Sequence, residues 1–563
     1  MRGRWITGFV IVLLLSASTV NAQLHSVSAE HPVYNYLFLK SSQGLLPEFS
    51  AHILPLTTGQ LQRYLDSLTA RELHAFGKIN ELTSEYKFVI DAYERPHISL
   101  KENDDWKFKS YASLHEASAL YAYNDSVVKF ETDLAGDFSF ATRELNSETI
   151  VNSFLMGYGA KFRLHYRDWL AASILIQNGN SYGHREAALT DSRIRNSHTF
   201  TSTGRNNFDF SRGYIRASNE HLSLTAGREK LFIGSSVINR TISGEEKPDY
   251  DCIRLDAAYK DITYLFIHAW LVTDLTEINF AGNRVEKYKP GKYFAMNRIG
   301  WNISDNFSIG LTQMMFYAYR SPELAYLTPF LFWESAQRSM NDPDNGLIGF
   351  DFSFTPVAGI RLTTEILADD ISFESFGSEG FNSLQNTTFY RIALFFPELI
   401  PLKNSLTGFE VTAVRPYTFS HPGYGDALNF TNDGVLMGDN IEPNTIGYSV
   451  FFSWQPTYSY VFKVKADYIL QGKNTYFPDG SLKYNYGGDF RESYNYFTPR
   501  LHKLLAGDRM KHSTLTGEFS YRFSYHILLT AKLQFEQVEF QANKKNTAQA
   551  RLSFIYTPFG EQY

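Results

Sequence analysis

Tyr458 to Leu470 reads YSYVFKVKADYIL, and this stretch decides the fold. Tyr460, Phe462, Val464, Ala466, Tyr468 and Leu470 fall on one side of an extended chain, while Lys463, Lys465 and Asp467 fall on the other. A period of two is the signature of a strand, because successive side chains point to opposite faces. The same alternation returns downstream: Leu515, Gly517, Phe519, Tyr521 and Phe523 oppose Thr514, Thr516, Glu518, Ser520 and Arg522. Near the C-terminus Ala550, Leu552, Phe554 and Tyr556 oppose Gln549, Arg551, Ser553 and Thr557. Apolar-out and polar-in is the arrangement a transmembrane barrel requires, with its lumen lined by polar groups; a soluble sandwich inverts it. Lys463, Lys465, Asp467, Glu518 and Arg522 are therefore expected to face the lumen.

Composition agrees with that reading. Aromatic residues make up 16% of the 563-residue chain, with 36 Tyr and 46 Phe, yet mean hydropathy is slightly negative. A membrane barrel combines the two, since only alternate residues meet lipid and aromatics crowd its interfacial girdles. Beyond the first residues no apolar run reaches the length of a spanning helix. At the start, Arg2 and Arg4 precede an apolar stretch from Ile6 to Leu15, and Val20-Asn21-Ala22 offers a cleavage site before Gln23. Residues 1–22 read as an export signal. Cys252 is the only cysteine, which excludes an intramolecular disulfide framework. It opens an alternating segment and reads as a small strand residue. The net charge of -6, with both signs mixed along the chain, excludes a nucleic-acid footprint.

Connection lengths give the barrel its two rims. Tight turns are expected at Arg167-Asp168, Ser218–His221, Lys260-Asp261, Ser304–Asn306, Thr355–Val357, Gln455–Thr457 and Ser524–His526. Long polar connections separate them, near 178–207, 230–251, 272–292, 318–346, 368–386, 416–445 and 471–512. Outer-membrane barrels alternate short periplasmic turns with longer extracellular loops. From Val128 onward this scheme gives about eighteen antiparallel strands, within a range of sixteen to twenty if Lys107–Tyr123 adds a pair. The expected domains are the signal at 1–22, a periplasmic segment at 23–127 and the barrel at 128–563.

Ahead of the barrel, Thr58 to Leu68 places Leu61, Leu65 and Leu68 at helical spacing. Thr69-Ala70-Arg71-Glu72 has the form of a capping box opening a second helix, with Leu73, Phe76, Ile79 and Leu82 on one face. A helical hairpin over about 57–86 is expected on the periplasmic side.

Motifs for catalysis are weak. Gly179-Asn180-Ser181-Tyr182-Gly183 matches the G-x-S-x-G of serine hydrolases, but that chemistry needs a strained strand-to-helix turn, and here the pattern is read as a Gly-rich opening of a polar loop. Asn341–Gly346 (NDPDNG) lacks EF-hand spacing and reads as a turn. Scattered carboxylates leave glycoside hydrolysis without a readable spacing. Neither a cofactor nor a metal is expected, and no catalytic residue is assigned.

The connection 471–512 carries the binding candidates. Tyr476, Tyr484, Tyr486, Tyr494 and Tyr496 lie among Arg491 and other charged residues, and rings beside charged donors can stack on sugars and hold hydroxyls or carboxylates. The same rings could instead fold the loop over the barrel mouth.

Three stretches carry a family resemblance: the helical hairpin after Leu54-Pro55-Leu56; Gly227–Leu231 (GREKL); and Leu327–Phe332 (LTPFLF) followed by Asp344–Phe352 (DNGLIGFDF). Together they resemble the capsule-assembly Wzi family of outer-membrane barrels, from about Pro55 to the C-terminus. The resemblance implies an eighteen-stranded barrel with a periplasmic helical bundle, and a non-catalytic surface lectin that attaches or organises capsular polysaccharide or exopolysaccharide. Outer-membrane lipid and lipopolysaccharide would surround it, and the helical hairpin could meet a periplasmic protein. A channel or porin, or a structural part of a surface or secretion machine, are the rival readings; polar inward residues suit the first, and the hairpin suits the second.

Overall fold

Alternation becomes a closed barrel of eighteen antiparallel strands in the computed structural model. Residues 24–94, 120–146, 149–196, 206–273, 276–280, 284–288, 290–371, 380–384, 386–422, 425–495 and 498–557 are described. The expected export signal, most of Lys107–Tyr123 and Tyr496 lie outside them.

The strands are β1 (Val128–Asn146), β2 (Thr149–Tyr166), β3 (Leu170–Gly183), β4 (Asn207–Ser218), β5 (Leu222–Glu229) and β6 (Tyr250–Tyr259). There follow β7 (Ile262–Leu271), β8 (Lys292–Ser304), β9 (Phe307–Ala318), β10 (Asn345–Val357), β11 (Ile360–Asp370) and β12 (Thr387–Pro397). The last are β13 (Ser405–Val414), β14 (Thr445–Thr457), β15 (Tyr460–Lys473), β16 (Asp508–Arg522), β17 (Ile527–Phe540) and β18 (Asn543–Tyr556). Each pairs with the next, and β18 closes on β1 with Phe554 opposite Phe138. Tyr121–Asn124 folds back on β1 and continues that seam, so it adds no spanning pair. Closure leaves no free edge.

One rim carries the tight turns, including 398–404, which the loop reading passed over. The other rim carries the long connections. Its two exceptions, between β1 and β2 and between β17 and β18, flank the closing seam. Outward positions are apolar and exposed along the wall, as at Phe140, Ile176, Leu311, Val464, Leu533 and Leu552. No helix among the described residues is long and apolar enough to cross a membrane.

The N-terminal segment enters the turn rim through helix α1 (Val33–Ser42), which the sequence reading missed. Nine of its ten residues are buried, so it shows no polar face from which a helical period could be read. Helices α2 (Thr58–Phe76) and α3 (Glu81–Glu94) form the expected hairpin with different boundaries. Thr69 opens no second helix: it sits inside α2 and its hydroxyl donates to the Leu65 carbonyl at 2.7 Å. The capping box is Thr57 with Gln60, and Gly77, at φ 67°, ends the helix in the left-handed region that suits glycine. Leu73 and Phe76 are exposed, and of the expected apolar face only Leu82 joins the core. The buried face carries Glu72 instead, paired with Lys40 at 3.5 Å.

The connection 230–249 also turns inward. Asn239 Nδ2 donates to Glu410 at 2.7 Å and to the Ser449 hydroxyl at 3.0 Å, and the Ser235 amide donates to Glu365 at 2.9 Å. Phe232–Ile233 pairs with Ile53–Leu54 of the N-terminal segment, so the two inserted pieces share a short ribbon. Arg391, 1% or less exposed in its side chain, donates to the carbonyls of Asn239 (2.8 Å) and Asp439 (2.7 Å) and pairs with Glu410 at 3.3 Å.

Replacing this arginine, as Arg391→Leu, takes the ion pair from the buried Glu410 carboxylate and the donor from two carbonyls, at a cost of about 3–5 kcal/mol. The expected outcome is faster tryptic cleavage after Arg240 or Lys247, with a barrel that still inserts. Unchanged resistance of 230–249 would show that the arginine does not hold it.

Candidate functional site

At the loop rim, two connections lean on each other: 415–444 and 474–507. Each contains a short hairpin, Thr431–Asn432 with Val435–Leu436 in the first and Thr475–Tyr476 with Leu482–Tyr484 in the second. Asn444 joins them to the wall. Its amide donates to the Gly472 and Ala506 carbonyls, both at 2.8 Å, and its oxygen accepts the Leu505 amide at 2.7 Å. Asn474 accepts the amides of Tyr486 (2.8 Å) and Gly488 (3.2 Å) in the same manner. Tyr417 at φ 65° and Phe419 at φ 72° take backbone angles unusual for bulky residues. Close contacts hold them there: Tyr417 lies 4.9 Å from the His502 ring and donates to the Asn485 carbonyl at 2.9 Å, and Phe419 lies 4.7 Å from Phe430.

The six sequence candidates separate in this frame. Tyr476 and Tyr484 are exposed on the second hairpin, and Tyr486 lies 6.3 Å from Tyr484. Lys483 stands 5.5 Å from both the Phe477 and the Tyr484 ring, so a cation and two exposed rings share one ridge. Tyr494 is half-buried and meets Tyr417 edge-on at 6.0 Å. Burial and the nearby Asp370 and Asp369 carboxylates push its phenol up to about 12. Arg491 covers the Phe490 ring at 4.4 Å and donates to the Gly434 carbonyl at 3.2 Å, linking the two connections. Beside the ridge, the Ser481 hydroxyl and amide hold the Asp479 carboxyl below its usual range. Sequence reasoning missed the asparagine anchors, whose only signal was their place at strand ends.

Inside, the inward residues of β15 and β16 are engaged with one another and with the inserted segment. Lys463 meets Glu518 at 3.1 Å, and Lys465 meets Asp467 at 3.3 Å and Asn239 at 2.8 Å. Arg522 lies over Tyr458 at 5.0 Å near the turn rim. A cavity of about 70 Å³ remains, lined by Glu30, Arg193, Glu246, Glu518, Lys532 and Arg551 among others. Enclosure raises the Glu30 carboxyl there to about 7, against the opposing pull of Lys230.

The motif candidates resolve simply. Gly179–Gly183 does not open a loop; it is the end of β3, and the Ser181 hydroxyl lies 3.2 Å from that of Ser153. An extended strand supplies no nucleophile elbow. In NDPDNG, Asp344 pairs with Arg320 at 2.5 Å and accepts the Tyr326 hydroxyl at 2.6 Å. Asn341 is left-handed at φ 55°, as a turn residue tolerates.

An eighteen-stranded barrel with helices at its turn rim and inserted connections is now defined. Its fold is similar to that of Wzi. That structure is described as an outer membrane protein involved in group 1 capsule assembly in Escherichia coli, a carbohydrate-binding β-barrel. The TM-score is 0.54 at 14% identity, over 95% of this chain and 99% of Wzi. The likeness concerns the fold, and it agrees with the resemblance read from 327–332 and 344–352. OpdK and OprD of Pseudomonas aeruginosa also match, at 10% and 11% identity and TM-scores of 0.42 and 0.43. They cover 76% and 77% of this chain and 98% and 96% of their own. No protein-family model and no curated protein matches the chain.

Asn444→Ala removes the strong hydrogen bonds to Gly472, Ala506 and Leu505 and a longer one to Tyr486, and leaves a non-glycine, non-asparagine residue at φ 58°. At roughly 0.5–1.5 kcal/mol per bond, amide exchange at Leu505 is expected to quicken by about tenfold to a thousandfold. Exchange at the wild-type rate would show that Asn444 is dispensable.

Proposed function

We propose that the chain is a non-catalytic outer-membrane barrel that holds capsular polysaccharide or exopolysaccharide at the cell surface. The turn rim and α1–α3 face the periplasm, the long connections face outward, and residues 1–22 direct export. The apolar outer wall supports the membrane assignment, because lipid is the solvent such a surface requires. The observation that carries the glycan reading is the exposed ridge of Tyr476, Phe477, Lys483 and Tyr484 above a lumen occupied by inserted segments. Rings offer flat apolar faces to sugar carbons, and the ammonium offers donors to hydroxyls or carboxylates. Wzi, described as carbohydrate binding, supplies a precedent for this role on a similar fold. Tyr486 and Arg491 would flank the ridge, while Tyr494 holds the loop.

Tyr476→Ala combined with Tyr484→Ala is expected to weaken binding to purified acidic capsular polysaccharide. With about 0.5–1.5 kcal/mol per aromatic contact, the double variant should lose roughly fivefold to a hundredfold in affinity. Wild-type affinity in that variant would remove the ridge from the reading.

In planar bilayers the wild-type protein should show no stepwise conductance, since the inserted segments occupy the lumen. Steady, ion-selective steps would favour transport over retention.

A further inference from the structure

The connection 319–344 behaves unlike its neighbours at the loop rim. It runs down the outside of the barrel. Strand alternation identifies the face: Arg298 and Phe294 point inward, to Asp351 and to the lumenal apolar cluster, so Asn297 between them points outward. Tyr264 and Gln313 are outward by the same alternation, beside the inward Leu265 and Met314. All three outward polar residues grip one short stretch, 328–333. Tyr264 donates its hydroxyl to the Pro329 carbonyl, and Asn297 Nδ2 donates to the same oxygen at 3.1 Å. Gln313 donates to the Leu331 carbonyl at 2.8 Å and accepts the Trp333 amide at 3.2 Å. Trp333 is buried outside the barrel, against Phe266, Tyr317 and Tyr326.

Register shows which part of the wall this stretch covers. Phe330 stacks on Tyr264 with ring centroids 5.2 Å apart. Tyr264 lies opposite Ile299, Ile299 opposite Leu311, and Leu311 opposite Phe350. Ile299, Leu311 and Phe350 are exposed members of the apolar wall. The tip therefore lies against the exposed apolar wall. Polarity follows depth. At the rim, Arg320 pairs with Glu323 and, at 2.5 Å, with Asp344. Lower down, the outward surface is Leu324 (80% exposed), Phe330 (79%), Leu331 and Phe332.

We infer that 324–333 is a membrane-immersed clasp on the barrel's outer wall, its exposed side chains contacting lipid acyl chains in the leaflet nearest the loop rim. This rests on the membrane assignment proposed above. Irregular backbone is not tolerated against hydrocarbon unless its polar groups are satisfied, and Tyr264, Asn297 and Gln313 supply what the helices on either side, Leu324–Leu327 and Trp333–Met340, do not. Conversely, three outward polar residues in a lipid-facing wall are costly unless something covers them. Each half of the arrangement explains the other. Continuity of the exposed tip with the apolar wall selects lipid as its occupant, since the same solvent must meet both.

The test uses the full chain in phospholipid vesicles with Cys252→Ala as background, which removes its single thiol. Separate Phe330→Cys, Leu324→Cys, Leu311→Cys and Asp479→Cys variants carry a nitroxide. Relaxation by molecular oxygen, which enters lipid, is compared with relaxation by a water-soluble nickel chelate. Labels at 330 and 324 are expected to follow 311, with oxygen dominant by severalfold, and to oppose 479. The second clasp site guards against local loosening caused by loss of the Phe330 stack. If 330 and 324 behave like 479 while 311 stays in lipid, the clasp is overturned and the barrel assignment survives. Shielding of 330 and 324 from both reagents would mean that protein covers the tip, which also overturns the proposal. Chelate dominance at 311 would overturn the membrane assignment itself.

Discussion

The guanidinium-to-carbonyl hydrogen bond is the interaction on which this molecule depends. An eighteen-stranded wall encloses more space than its own side chains fill, and the chain fills it with irregular backbone whose carbonyls need donors. Inward arginines provide them. Arg163 reaches the Tyr93 carbonyl at 2.9 Å, Arg216 reaches Leu24 at 2.8 Å and Arg254 reaches Pro55 at 3.1 Å. Arg391 does the same for Asn239 and Asp439. A planar fork with several fixed donors suits this work better than an ammonium, because it can bind a carbonyl and a neighbouring carboxylate together. Arg254, for instance, also holds Asp256 at 2.7 Å.

The same accounting applies on both sides of the wall. Inside, arginines and carboxylates satisfy inserted segments; outside, Tyr264, Asn297 and Gln313 satisfy the stretch 328–333. The difference lies in charge. The arginine donors in the lumen are charged and paired with carboxylates, whereas the outer donors are neutral, and a neutral donor costs less than a charged one where water is excluded. Inserted segments are thus held inside the barrel and the stretch 328–333 outside it, while Tyr476 and Tyr484 stand exposed at the loop rim.

The strands were legible in the sequence because their period is local. Alternation at 460–470 and 514–523 assigned faces, and the rhythm of short and long connections located nearly every turn. The helices were read less well. Leu61, Leu65 and Leu68 marked α2, but Thr69 imitated a cap while its hydroxyl was bonding back to Leu65. Helix α1 gave no signal, since a helix buried on all sides has no polar face. Among the site candidates, Tyr476 and Tyr484 could not be told from Tyr494 by composition: all are tyrosines in one loop, and only Tyr417 packing on Tyr494 separates anchor from surface.

Tyr458 to Leu470 by itself determined that this stretch alternates apolar and charged residues along an extended chain, and its repeats that the protein is built of such strands. The rhythm of short and long connections made them a barrel. The strands follow from a two-residue period, which each carries in its own residues. What fills the lumen was decided only by tertiary structure. Lys465 and Asp467 look, in sequence, like the lining of a water-filled pore. Ser449 meets Asp467 across the β14–β15 pair, but Asn239, 226 residues from Lys465, reaches it only because the connection 230–249 folds into the barrel.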